Sequence, residues 1–260
     1  MKIARAAAFA AALVLVAAAT LADEFAVYRA SGAEPGLFDQ YDNDGYSLAV
    51  ARSAGGGLEL SVRVSGAPLA SRAPYPTGTP REASLPASPE RDAYVRSLVE
   101  GTTTEAAAVE RILEAVASTV RYDADRTRKQ DPASVYASKR AFCVGYAELS
   151  VDLLRRAGIP ARTVQGVLRT ASDADGYDSH IGGVYHRWIE IYYADLGFVF
   201  SDPSASINGV DSRYIPFGRR ELERPRGLTI TPVESSGRVD YPLKRLADVT
   251  LRIRPVSQTP

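Results

Sequence analysis

Cys143 is the only cysteine in 260 residues, and it stands in Arg140-Ala141-Phe142-Cys143-Val144-Gly145-Tyr146-Ala147, where an amphipathic helical pattern begins. Downstream come His186-Arg187-Trp188-Ile189-Glu190 and then Asp202-Pro203, each on a segment that reads as a strand. A thiol in the first turn of a helix lies near unsatisfied backbone N–H groups and the positive end of the helix dipole. With an imidazolium beside it, such a setting lowers a cysteine pKa to about 3.5–7.5, so that the thiolate is available for attack. The same N–H groups can receive the oxyanion that forms when a carbonyl is attacked. The chemistry these residues permit is acyl transfer through a covalent thioester.

Only His180 and His186 can supply the base. His180 lies in a loop of Ser172, Asp173, Asp175, Gly176, Asp178 and Ser179, where a solvated histidine is the ordinary expectation. His186 begins a strand and shares one face with Trp188, Glu190 and Tyr192 by period-two alternation. If the loop through Ala194-Asp195-Leu196-Gly197 holds an odd number of residues, opposed positions of the hairpin share parity. His186 and Asp202 then face the same side at nearly matching height. The carboxylate can hold the imidazole's tautomer and stabilise its charged form. A register change of one residue would turn Asp202 to the other face. Each residue alone has a plain structural reading: a buried cysteine as a small hydrophobe, a core tryptophan, an aspartate that opens a turn. Their joint occurrence, in this order and on these elements, favours the chemical reading.

The elements that must position them follow from pattern. Residues 23–66 read as β-structure, with a hairpin around Gly55-Gly56-Gly57. Within it Asp42-Asn43-Asp44-Gly45 resembles a calcium loop. With Gly45 in the sixth position, however, Gln40 and Ala51 fall where carboxylates are needed, and a turn is expected. Six prolines between Pro68 and Pro89 mark a linker or surface strap. Ser88-Pro89 opens a helix to about Val99. Thr102 with Glu105 reads as a capping box for a helix that buries Val109, Ile112, Leu113 and Val116. Asp131-Pro132 starts a short helix toward Ser138. The Cys143 helix runs to about Ala157, ended by Gly158 and Pro160, with Arg155 and Arg156 set against its negative end. Strands are expected at Thr163–Leu168, Tyr185–Tyr193 and Phe198–Asp202, with weaker signals at Leu228–Val233 and Val249–Ile253.

The N-terminus has the pattern of an export signal: Lys2 and Arg5, an apolar run from Ala6 to Ala19, then Thr20-Leu21-Ala22. The run is shorter than the ~20 residues of a spanning helix. Removal after about Ala22 is therefore expected, with no stable membrane insertion afterwards and a periplasmic or secreted bacterial location. Exported proteins usually hold cysteines in disulfide pairs, so a lone one is a candidate reactive thiol. Acidic and basic side chains balance at 31 each, which gives no argument for a nucleic-acid partner. No phosphate-binding loop occurs, and two histidines with one cysteine argue against zinc, so neither cofactor nor metal is expected.

The stretch from Cys143-Val144-Gly145-Tyr146-Ala147 through Arg155-Arg156-Ala157-Gly158-Ile159-Pro160-Ala161-Arg162, then His186-x-Trp188-x-Glu190, then Asp202-Pro203, resembles the transglutaminase-like superfamily. The resemblance implies an α+β papain-like core, in which a helix-borne cysteine packs on an antiparallel sheet carrying histidine and aspartate. It also implies Cys143 as nucleophile, His186 as general acid/base and Asp202 as its orienting carboxylate. Phe142 stands where many members carry a small or acidic residue, and Arg187 where a small one is common. For a second oxyanion donor Gln130 and Tyr122 both stay open. The expected division is a signal peptide over 1–22, an N-terminal β appendage over 23–66 and a linker over 67–89. A transglutaminase-like domain over 90–220 and C-terminal strands over 221–260 complete it. Hydrolysis of an amide in a peptide or protein, cell-wall peptide included, is expected. The alternatives are a cross-linking transamidase and a non-catalytic module that binds peptide or cell wall.

Overall fold

The computed structural model describes residues 23–34, 36–76, 85–170, 172–174, 176–219, 225–236 and 251–257. The expected export signal lies outside them, as do the middle of the proline-rich segment and the start of the last expected strand. The chain begins with strands β1 (Glu24–Ser31), β2 (Tyr41–Asn43), β3 (Tyr46–Arg52) and β4 (Leu58–Val64). Helices α1 (Pro89–Val99) and α2 (Glu105–Thr119) come next, then β5 (Arg121–Tyr122), α3 (Pro132–Ser138), β6 (Arg140–Ala141) and α4 (Cys143–Arg156). The C-terminal half contributes β7 (Ala161–Arg169), β8 (Gly183–Tyr193), β9 (Gly197–Ser201), β10 (Ser206–Ile207), β11 (Tyr214–Pro216), β12 (Thr229–Ser235) and β13 (Arg252–Ile253).

Two antiparallel sheets dominate this α+β fold. One has the order β11-β7-β8-β9, the other β12-β1-β4-β3-β2. The alternation along β8 divides its side chains between two cores. Val184 and Trp188 join residues of β1, β3 and β4 in a core between the sheets. Ile189, Ile191 and Tyr193 join Val109, Ile112, Leu113, Leu153 and Leu154 in a core under the helices. The four-stranded sheet is thus the middle layer, helices on one face and the N-terminal sheet on the other. The N-terminal β region expected from the sequence is an antiparallel sheet, and it shares its core with the sheet that carries His186. Its outer strand is β12, from far along the chain, which pairs with β1 from Ala26↔Ser235 to Ser31↔Thr229.

Local chemistry sets the boundaries. Asp131 caps α3 by accepting a hydrogen bond from Ser134 N at 3.0 Å, with Pro132 in the first turn. The cap of α2 differs from expectation. Thr104, not Thr102, accepts from the amide of Ala107 at 3.2 Å. Thr102 instead donates its hydroxyl to Val99 O at 2.7 Å, closing off α1. Glu105 therefore cannot close a capping box; it is buried and accepts from Ala194 N at 3.0 Å. Three consecutive threonines hide which one caps. Arg156 also departs from a simple dipole partner, because it is buried and bonded to Asp152 and to Asp92 of α1. Asp44-Gly45 makes the tight turn between β2 and β3, with Gly45 at φ +76°, a conformation glycine adopts freely.

Candidate active site

Cys143 is the first residue of α4, and the chain before it is clamped from two sides. Strand β6 pairs with β5, Tyr122 opposite Ala141, so the backbone enters the helix along a fixed line. Gln130 Oε1 accepts from Phe142 N at 3.2 Å. Gly145 lets this junction close: a Cβ there would lie 2.5 Å from Gln130 Oε1 and 2.7 Å from Ala141 Cβ. Phe142 occupies the cap position without a side-chain bond to the helix, which leaves the first-turn amides of α4 uncapped by its own side chain.

The hairpin of β8 and β9 brings the other two residues together. Tyr193 pairs with Gly197 and Ile189 with Ser201, so the loop holds an odd number of residues and parity is kept. Asp202 follows directly after β9, and its Oδ2 lies 2.7 Å from His186 Nε2. Both side chains are fully buried. The remaining lone pairs of the carboxylate are also occupied. Oδ1 accepts from Ser204 N at 2.9 Å and from Ser204 Oγ at 2.6 Å, and Oδ2 accepts from Tyr214 Oη at 2.8 Å. An ionised carboxylate with four donors has no freedom to turn away from the imidazole. Trp188 lies nearly parallel to the His186 ring, 20° between planes and 6.1 Å between centroids, and closes that side of the ring to water.

Nδ1 of His186 is buried with no hydrogen-bond partner among the described residues, and the Cys143 thiol lies close enough for each group's charge to shift the other. Burial pushes the Cys143 thiol up, but the charge of His186 and the N–H of Arg187 outweigh it, and the thiol falls below its usual value. Burial likewise pulls the imidazole down, yet Asp202 and the Cys143 thiolate together lift it to about 10. Asp202 ends below the usual carboxylate range: burial raises it, and His186 and the Ser204 donors more than reverse that. All three directions run the same way, each favouring the charged form of its group beside the other two. The arrangement can attack a carbonyl carbon and carry a proton.

These groups open into a cleft of ≈ 320 Å³ whose walls include Tyr122, Phe142, Gln165, Tyr185, Arg187 and Phe217. Phe142 and Arg187, the two unusual residues of the motif, both face it. Arg187 also bonds Glu148 of α4 at 2.8 Å, tying the Cys143 helix to the His186 strand. Of the two residues left open as oxyanion donors, Tyr122 lines the cleft. Gln130 does not; its amide serves the backbone at Phe142 and at Arg128 O. His180 is exposed, in the loop before β8, with its backbone N–H bonded to Asp178.

Sequence reasoning missed Tyr214 and Ser204. Ser204 had a local signal, since Asp-Pro-Ser is an aspartate followed two residues later by an amide that its side chain can accept. Tyr214 had none, because its partner is set by the packing of β11 beside β7.

The family model of the transglutaminase-like superfamily matches residues 92–203. The uncharacterized protein YebA of Bacillus subtilis (strain 168) is 31% identical over 77 residues, which make up 27% of this chain and 10% of that protein. The match therefore spans about a tenth of that relative's length. Among solved structures, a candidate cysteine protease from Cytophaga hutchinsonii is similar with a TM-score of 0.42 and 13% identity, over 82% of this chain and 86% of the other. The periplasmic domain of TgpA from Pseudomonas aeruginosa is similar with a TM-score of 0.39 and 14% identity, over 72% and 88%.

Proposed function

Because residues 92–203 belong to the transglutaminase-like superfamily, we propose that this protein is an exported thiol enzyme that hydrolyses amide bonds in a peptide or protein substrate, cell-wall peptide among them. The observation that carries this reading is the buried His186 imidazole, held by Asp202 at 2.7 Å on Nε2, beside the Cys143 thiol at the wall of one cleft. A structural histidine does not need a carboxylate whose every lone pair is satisfied, nor a thiol lowered against its own burial.

In the first half-reaction the Cys143 sulfur forms a bond to the scissile carbonyl carbon, and the carbonyl π electrons move to oxygen. First-turn amides of α4 and the Tyr122 side chain stand at the cleft to receive that oxyanion. Collapse breaks the C–N bond, and imidazolium gives its proton to the departing amine, leaving a thioester. In the second half His186, now neutral, takes a proton from water as it attacks the thioester. The carboxylic acid then leaves and the thiolate–imidazolium pair returns. Asp202 stays ionised throughout and stabilises the imidazolium. Water's abundance favours hydrolysis over transfer to an amine. Export rests on the N-terminal sequence pattern, and no helix among the described residues is long and apolar enough to cross a membrane.

The test is incubation of the full chain with a peptide library, with Cys143→Ala in parallel and mass spectrometry as readout. Cleavage or deamidation that depends on Cys143 supports hydrolysis. Amine incorporation moves the reading to transamidation. No product at all, with a thiol that iodoacetamide reaches only after denaturation, overturns it in favour of a binding module.

A further inference from the structure

The thiol cleft has guanidinium groups on its wall, in a chain whose acidic and basic side chains are equal in number. Arg126 and Arg187 are the arginines that line it, and among the described residues no aspartate or glutamate does. Beyond Gln165 and Arg187, which border both, lies a second depression of ≈ 360 Å³ with Arg162, Arg219, Glu148 and Glu190 on its walls. Its two glutamates are already committed. Glu148 bonds Arg187 at 2.8 Å. Glu190 is fully buried and bonded to Arg162 at 2.5 Å and to Asn43 at 2.8 Å.

Two arginines keep outward-facing charge. Arg219 is 3.9 Å from Glu190, lies over the Tyr41 ring at 4.7 Å, and leaves 43% of its side chain exposed. Arg126 is exposed and forms no ion pair among the described residues. It reaches across the cleft mouth to Gly176, where a Cβ would come within 2.7 Å of its Nη2. One exposed guanidinium therefore overhangs the thiol cleft and another stands in the depression that continues it. Gln165 and the paired Arg187 lie between them.

We propose that the substrate is an acidic peptide, with carboxylate side chains near the scissile amide bound by Arg126 and Arg219. The fork of a guanidinium matches a carboxylate, and such charge-assisted pairs are about twice as strong as neutral ones. Positive charge focused in a cleft also raises the local concentration of an anionic ligand. A basic peptide meets the opposite field and must place its charge beside two arginines and an imidazolium. This specificity rests on the acyl-transfer reading for its chemistry, but its binding step can be measured apart from it.

The experiment uses the full chain with Cys143→Ala and fluorescein-labelled peptides identical except for Glu, Gln or Lys at the variable positions. The Glu peptide is expected to bind about tenfold more tightly than the Lys peptide, the equivalent of one charge-assisted bond, with the gap closing as salt is added. Arg126→Gln and Arg219→Gln each shrink that gap several-fold, and the double Arg126→Glu, Arg219→Glu variant inverts it. Equal binding of Glu and Lys peptides, a Lys preference, an unchanged gap in the double Gln variant, or no binding of any peptide overturns the proposal. Turnover by the unmodified chain is scored separately. Its absence alongside charge-selective binding strikes the acyl-transfer reading and leaves the specificity standing.

Discussion

The two faces of the four-stranded sheet are built from different materials. Under the helices the core is mostly aliphatic, with Ile112, Leu113, Leu153, Leu154, Ile189 and Ile191 fully buried. Against the N-terminal sheet it is aromatic and hydroxyl-bearing. There Tyr28 donates to Ser212 O at 2.9 Å, Tyr41 to Phe217 O at 2.7 Å and Tyr46 to Tyr214 O at 2.7 Å. Aliphatic burial is strong and non-directional, so it fixes how tightly layers adhere but not their lateral position to a tenth of an ångström. Buried hydroxyls have a required direction and a cost if left unpaired. The directional face is the one that holds His186 and Asp202. Tyr46 anchors the backbone of Tyr214, and the Tyr214 hydroxyl anchors Asp202. The N-terminal sheet thus helps fix Asp202 beside His186, while the helix face supplies cohesion and carries Cys143.

That contrast breaks most sharply at Asp202. Asp202→Asn removes the charge that lifts His186, so burial pulls the imidazole down and the thiolate loses its counter-ion. Turnover should fall by about 10⁴-fold, or ~5 kcal/mol of transition-state stabilisation. In the unmodified chain iodoacetamide should alkylate Cys143 well below pH 8. In the variant the acid limb of the alkylation rate should move to higher pH, and an unmoved limb would refute the electrostatic account. On the aliphatic face, Leu153→Ala should cost ~2–5 kcal/mol of stability by urea unfolding. The alkylation rate of the molecules still folded should not change. Tyr46→Phe keeps the ring and should cost only ~1–3 kcal/mol, yet it should slow alkylation. Paired with Tyr214→Phe in a double-mutant cycle it should be non-additive; strict additivity would uncouple the N-terminal sheet from the site. The smallest effect expected is from Thr104→Ala, ~1 kcal/mol of stability with no effect on the thiol.

The legible parts of this molecule were those whose cause lies within one element or one hairpin. The Cys143 helix announces itself by periodicity and by Gly158-Ile159-Pro160, and the meeting of His186 with Asp202 follows from the parity of a short loop. What was not legible depends on distant segments. A tyrosine in a strand looks the same whether its hydroxyl meets solvent or a carbonyl far along the chain, as Tyr28, Tyr41 and Tyr46 all do here. Glu105 looks like a cap residue until Ala194 N is placed beside it. Arg156 looks like a dipole partner until α1 brings Asp92 to it. The charge of the cleft was hidden for the same reason, since Arg126 and Arg219 come from opposite sides of the motif.

Strand β1 lies between β4 and β12, and its second neighbour is separated from it by most of the chain. During synthesis from the N-terminus, its neighbour β4 emerges early, but its outer edge stays open until residues 229–235 have been made. Such long-range closure is slow, and an open β edge is a template for aggregation. The segment that completes the sheet is therefore the last of its strands to be made. The same sheet holds the backbone of Tyr214 through Tyr46, so the last strand to be made completes the layer that backs Asp202. A chain stopped before residue 229 should therefore present β1 with an unpaired edge.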